Sequence, residues 1–337
     1  MSHLRSVLLA AAVALLPAAA AANDSTGFEG TTGIELARTD AIQMVSEDLR
    51  IGLDAITVAY VFRNVTNQPV DTMVVFPLPD LDLSQGVTAP NWAFPTRQDD
   101  FLDFKLWVDD QPVAASLEQR AIYRGKDVTG DVAAAGALGL APWKPDGYDG
   151  QVKALPPAGL AALRQAGLVQ PGEDDDTPQW TLRTRYHWQQ RFPPGAELRI
   201  RHRYRPFVGS ALLGDVGAID GRTVVGRRVG PQPVPGDRYC LDAGTRRAVA
   251  DAQRRAPKDE MAFGAAEIEY VLTTARNWRG PIGRFHLMLD KGAPDNLISL
   301  CWDGLKKTGA TSFEATIENF VPDRDIRLLV FVRAKPR

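Results

Sequence analysis

The chain has 337 residues, 39 of them basic and 41 acidic, for a formal net charge of −2. That balance argues against general nucleic-acid binding, and a hydrophobic fraction of 45% supports a sizeable core rather than disorder. The length suits one large or two medium domains.

Residues 1–22 carry the order of a secretory signal: Arg5 in a positive n-region, an apolar run at 7–16, then small residues at 18–22. The apolar run is shorter than the roughly 20 residues a transmembrane helix needs. Cleavage is expected after Ala22, so the mature chain should start at Asn23 and work in the periplasm or outside the cell. No Cys near Ala22 offers a lipid anchor, and no later segment is apolar enough to span a bilayer.

Strand patterning dominates the chain beyond Asn23. Ile56–Asn64 alternates β-branched and aromatic residues with small or polar ones, as a half-buried strand does. Asn67-Gln68-Pro69 reads as a turn, 72–76 as the next strand, and Pro77 and Pro79 as its end. Residues 101–108 alternate again, and Asp109 to Pro112 turn the chain into another short strand. Residues 125–178 are rich in Ala, Gly and Pro, with one helical stretch at 158–165 and a solvated acidic run at 173–176. They read as a partly flexible insertion on a sandwich formed by 23–124 and 179–337.

Residues 180–204 read as a hairpin turning at Pro193-Pro194-Gly195. In that register Phe192 pairs with Leu198, Trp188 with His202 and Tyr186 with Tyr204. Residues 209–236 are Gly- and Pro-rich and read as loops with short strands. A short helix is expected at 245–255 with Thr245 as its N-cap. Further strand candidates are 267–273, 283–289, 296–302, 312–318 and Ile326–Arg333. The two cysteines, Cys240 and Cys301, are expected to form a disulfide in an exported chain.

Catalytic signals are weak. There is no G-x-S-x-G elbow, and after signal removal only His187, His202 and His286 remain. His202, on the apolar face opposite Trp188, reads as a packed core residue rather than a base. Asp80, Asp82, Asp99, Asp100 and Asp103 lack EF-hand spacing and read as hydrated turn carboxylates rather than a Ca²⁺ site. His and Cys do not cluster as zinc ligands do, and neither metal nor cofactor is expected. Glu267 and Glu269, two residues apart on one strand face, are the carboxylate pair that glycoside hydrolysis would call on.

The distinctive feature is electrostatic. The polar face of the expected hairpin carries Arg183, Arg185, His187 and Arg191 on one strand, and Arg199, Arg201, Arg203 and Arg205 on the other. Like charges opposed on a sheet destabilise it, so something must offset them. That is either an anionic ligand such as a lipid phosphate, an acidic glycan or a partner's acidic face, or an acidic strand of the same chain bearing Glu267 and Glu269. His187, Arg199, Arg201, Arg203 and Arg205 are therefore anion-binding candidates. Asn277 and Trp278 are candidates for a recognition loop, or else a turn with Trp278 packed beneath it.

The chain carries two resemblances. FRNVTNQPVDTMVVFPLP, VDDQPVAASLEQRAIY and FPPGAELRIRHRY resemble segments of the vault/inter-alpha-trypsin (VIT) domain, which implies a β-sandwich and little about ligands. ANDS, MVSEDLRI, VVFPLPD, GKDVTG, RYHWQQRFPPG, RYCLD, NWRGPI and SLCWDG, in order along nearly the whole chain, resemble a family of exported bacterial proteins catalogued only as a domain of unknown function. That likeness brings no activity or catalytic residue. The sequence thus points to a mainly β, antiparallel sandwich that is a non-catalytic envelope-binding or structural protein. The alternative is a periplasmic hydrolase.

Overall fold

The computed structural model describes residues 23–30, 33–85, 102–138, 151–172, 176–206, 239–257 and 260–334. The expectations for 1–22, 209–236, Asp99, Asp100 and most of the acidic run at 173–176 lie outside the described residues. Strands are numbered in chain order.

Alternating sequences supply two large sheets. The first runs β10 (Lys126–Asp127), β9 (Ser116–Tyr123), β13 (Thr181–Phe192), β5 (Val70–Pro77), β1 (Ser25–Gly30) and β2 (Gly33–Ala37), with β6 (Leu81–Asp82) also on β13. The second runs β18 (Lys306–Lys307), β19 (Ser312–Phe320), β16 (Ile282–Asp290), β3 (Ile42–Gly52), β4 (Ile56–Asn64), β14 (Glu197–Tyr204), β7 (Lys105–Val108) and β8 (Gln111–Val113). All its pairings are antiparallel except β16 with β3. In β4 the alternation is complete: Ile56, Val58, Tyr60 and Phe62 point inward and are buried, and Arg63 is exposed. The turn from β7 to β8 places Asp109 and Asp110 at φ 46° and 64°, a left-handed pair that Asp tolerates better than most residues.

The inward faces of the two sheets meet in one apolar core. β3 reaches it by a bulge. Ile42 and Met44 face inward in one phase, the register shifts between Met44 and Ser46, and Glu47, Leu49 and Ile51 then face inward in the other.

A third sheet, β15 (Phe263–Tyr270), β20 (Ile326–Arg333) and β17 (Leu297–Ser299), is covered on both sides. Ile268, Leu328 and Val330 join the main core, while Phe263, Leu329 and Phe331 pack with Val249 and Ala252 of a helix at Ala243–Arg255. Burial on both faces explains the unbroken apolar run Leu328 to Phe331. The helix is capped by Asp242, whose carboxylate accepts the Thr245 N–H at 2.8 Å. Thr245 is thus the residue held by the cap rather than the cap itself. Cys240 and Cys301 form the expected disulfide, with Cα atoms 5.0 Å apart. It ties the segment before the helix to the one after β17. Shorter helices at Thr129–Ala134 and Pro157–Gln165, and the strand pair β11 (Val169–Gln170) and β12 (Thr177–Pro178), bury Val132, Leu163 and Val169 in the main core.

The expected hairpin at 180–204 is corrected. β13 pairs with β5 and β9, and β14 with β4 and β7, so the two strands belong to opposite sheets. Pro193 to Ala196 arch between the sheets. Alternation cannot separate these outcomes, because hairpin and arch both send Trp188 and His202 toward the same interior. Their rings do meet, edge to face at 5.4 Å, but across the core.

Candidate functional site

Two groups of polar side chains stand out, one sealed and one open. The sealed group gathers inside the core from the two residues before β1 and from β3, β4, β14 and β15. Asn23, Asp24, Glu47 and His202 are wholly buried, with Tyr60 and Tyr270 beside them. The Asn23 amide donates to Glu47 Oε2 at 3.0 Å, and its Oδ1 accepts from the Tyr60 hydroxyl at 2.6 Å. The Tyr270 hydroxyl lies 3.1 Å from that of Tyr60 and donates to Glu47 Oε1 at 3.3 Å. His202 Nε2 lies 3.6 Å from Asp24 Oδ2, inside a cage of Phe76, Phe104 and Trp188 rings.

Burial dominates the acid–base behaviour of this group. It pushes the Glu47 carboxyl up to about 8, against the hydrogen bonds from Asn23 and Tyr270 that favour the ionised form. It raises Asp24 well above the usual carboxylate range, and the Glu47 charge adds to the rise. It depresses the His202 imidazole to about 3. Charge in such a place costs several kcal/mol per ion unless paired. His202 is the core histidine that its sequence setting predicts.

The open group lies on the outer face of the eight-stranded sheet. β14 sends Arg199, Arg201 and Arg203 outward in alternation with buried Leu198, Ile200 and His202. The Arg201 guanidinium sits over the Trp107 ring at 4.1 Å from its centre, with Asp110 3.9 Å away. Arg205 comes just past the strand and is exposed. Arg205 and Arg203, after the Lys105 ammonium at 2.8 Å, help hold the Asp103 carboxyl low. In the same row beyond β4, His286 bridges Asp48 (3.1 Å) and Glu314 (3.5 Å).

His187 does not join these arginines. With Arg183, Arg185 and Arg191 it lies on the outer face of the other sheet, across the sandwich from Arg201. There Arg183 pairs with Asp80 (3.0 Å), Arg185 with Glu118 (3.7 Å) and Arg191 with Asp71 (2.8 Å). The opposed like charges expected of a hairpin therefore do not arise. Nor do Glu267 and Glu269 cover β14: they sit on β15 in the third sheet, where Glu269 pairs with Arg327 at 3.3 Å. Among the described residues, no ion pair engages the guanidinium of Arg199 or Arg203.

The recognition-loop reading of Asn277 and Trp278 is also corrected. Trp278 is buried against Phe62, 4.6 Å between ring centres, and donates to the Asp24 carbonyl at 2.7 Å. Asn277 donates to Ser25 Oγ at 2.8 Å. A Trp with its N–H spent inside the core offers no contact area to a partner.

Sequence reasoning missed Asp24, Glu47, Tyr60, Tyr270 and Trp107. For Glu47 the signal was present: apolar residues at 42 and 44 and again at 49 and 51 are out of phase, which requires an extra residue between them. Strict alternation backward from Leu49 then turns Glu47 inward.

A family model described as "Domain of unknown function (DUF4424)" matches residues 22–329. No curated protein matches the chain. Among solved structures, a "putative nutrient binding protein" from Legionella pneumophila is 18% identical, covering 91% of this chain and 72% of that one with a TM-score of 0.45. An M1 zinc metallopeptidase from Deinococcus radiodurans is 9% identical, covering 88% and 44% with a TM-score of 0.26.

Proposed function

As a chain that belongs to the DUF4424 family, a domain of unknown function, this protein takes its reading from its own surface, and we propose that it is a non-catalytic exported protein that binds an anionic component of the cell envelope. The observation that carries this is the contrast between the two basic rows. Every arginine on the outer face of β13 has an acid within ion-pair distance. On β14 Arg199 and Arg203 stand exposed with no ion pair among the described residues, and Arg201 lies on Trp107 between them. Unpaired guanidinium groups on an exposed sheet face suit phosphate or carboxylate groups, which arginine binds through its planar fork.

The disulfide and the signal-like segment support export to an oxidising compartment. Among the described residues no helix is long and apolar enough to cross a membrane. The runner-up, a periplasmic hydrolase, would draw on Asp48, His286 and Glu314, which converge on an exposed sheet face. Loss of a hydrolytic activity in His286→Ala would establish it.

The test replaces Arg199 and Arg203 with Gln and measures co-sedimentation with phosphatidylglycerol vesicles and with an acidic glycan. Melting temperature should barely move, since exposed charges contribute little to stability. Binding should weaken severalfold, as it should for the unsubstituted chain in high salt. Equal binding by both chains, or the absence of salt-sensitive binding, would overturn the proposal.

A further inference from the structure

Asn23 and Asp24, the residues directly after the signal-like segment, are buried in the core. Their backbone is held from both sides. The Asn23 N–H donates to Thr274 Oγ1 at 3.2 Å, and the Thr274 hydroxyl donates back to the Asn23 carbonyl at 2.8 Å. The Trp278 indole holds the Asp24 carbonyl. Two wholly buried carboxyls, Asp24 and Glu47, share this chamber. Asp24 has no hydrogen bond to either carboxylate oxygen among the described residues. Facing them are the Tyr60 and Tyr270 hydroxyls and the His202 ring, with Tyr204 behind Tyr270 and Asp48 beyond Glu47. Two acids buried together without a cation are costly.

We infer that the cation balancing Asp24 and Glu47 is the α-ammonium of Asn23, created when the Ala22–Asn23 peptide bond is hydrolysed, so that removal of the leader completes the core. Water supplies the hydroxyl that joins the Ala22 carbonyl carbon and the hydrogen that joins the departing Asn23 nitrogen, and the proton released by the new Ala22 carboxyl converts that amine to an ammonium. An amide nitrogen there offers one proton and no charge. The ammonium offers three protons and a full charge at the same buried position. Thr274 Oγ1 takes one proton, which leaves two for the carboxyls that share the chamber. Asn23 is already anchored to Glu47 by its side chain and precedes Asp24 directly in the chain. This inference rests on cleavage before Asn23 and not on the anion-binding reading, so the two fail separately.

The test compares a chain beginning at Asn23 with one that keeps two alanines before it. The natural mature start is read by mass spectrometry of the exported protein. In the folded chain the Asn23 amine should react with an acylating reagent at least about tenfold more slowly than in urea, as a protected group does. The two-residue extension should lower the melting temperature by on the order of 5 °C. In Glu47→Gln, where one carboxylate is gone, the extension should cost less than half as much. A mature chain starting elsewhere, an amine equally reactive folded and unfolded, or equal melting temperatures would each overturn the inference. The reactivity measurement decides the matter even where Glu47→Gln does not fold.

Discussion

His202 and Arg201 are neighbours on β14, yet they belong to two regions governed by different physics. His202 points into the sealed chamber, where burial depresses its imidazole to about 3. Arg201 points outward, its side chain 42% exposed, with its charge in water and its flat face on Trp107. Inside, removing one of two buried polar neighbours leaves the other uncompensated, so a substitution should be read as lost stability. Outside, solvent screens the pairs, so a substitution should be read in binding. One strand carries both regions because alternation separates them residue by residue.

The largest effect should come from the wall of the chamber. Trp278 is 1% exposed, packs on Phe62 and Phe192, and holds the Asp24 carbonyl. Trp278→Ala opens a cavity and frees a buried acceptor, which should cost about 3–5 kcal/mol. Urea denaturation should show this as a lower midpoint with an unchanged slope. Trp107→Ala, on the outer face, should cost less than about 1 kcal/mol by the same measurement. Equal costs for the two tryptophans would erase the distinction between the regions.

A smaller effect should appear on changing pH. Glu47 has a folded value of about 8 against 4.5, so its contribution is fully present below 4.5 and is lost as pH rises toward 8. His202 has a folded value of about 3 against 6.5, so its contribution is present above 6.5 and is lost as pH falls toward 3. In a chain that retains residues before Asn23, the Glu47 and His202 contributions should cancel between 4.5 and 6.5, which leaves the loss from Asp24, whose carboxyl burial also raises. Above 6.5 stability should fall by at least roughly 1.4 kcal/mol per pH unit, the share of Glu47 alone. Melting curves across pH should show that fall, and Glu47→Gln should make it shallower by the Glu47 share. In a chain starting at Asn23 the ammonium should delay the fall until it loses its proton. A flat profile in the extended chain would mean that Glu47 ionises freely and the chamber is not sealed.

Much of the sandwich was legible because a strand with one buried face must alternate. Ile56–Asn64 and Ile326–Arg333 were read with the bounds the structure shows. What alternation leaves open is the partner. Thr181–Phe192 and Glu197–Tyr204 have the same inward sets whether they pair or face each other across the core. The sealed chamber was harder to read for two reasons. Its members are distant in sequence, with Asn23 bonded to Thr274 across 251 positions. Its acids also break the rule that buried positions are apolar, and a Ser-Glu-Asp run around Glu47 suggests a turn or a surface more readily than a core. The outer arginines were legible as a row, but whether Glu267 and Glu269 covered them depended on which sheet β15 joined.

The smallest effect should separate geometry from charge on the outer face. Arg201→Lys keeps the cation and loses the planar group that stacks on Trp107. An exposed cation–π contact is worth about 0.5–1 kcal/mol, so the melting temperature should move little. Binding should respond more. Stacking orients the Arg201 fork between Arg199 and Arg203, and a lysine ammonium on a flexible stem has no such orientation. Arg201→Lys should therefore weaken sedimentation with anionic vesicles, and Trp107→Ala should weaken it to a similar degree. The double substitution should be hardly worse than either single one, since both remove the same oriented group. Additive losses would mean that Trp107 touches the ligand itself. No loss from Arg201→Lys would mean that only charge matters there, with Arg199 and Arg203 carrying the binding and Arg201 serving the sheet.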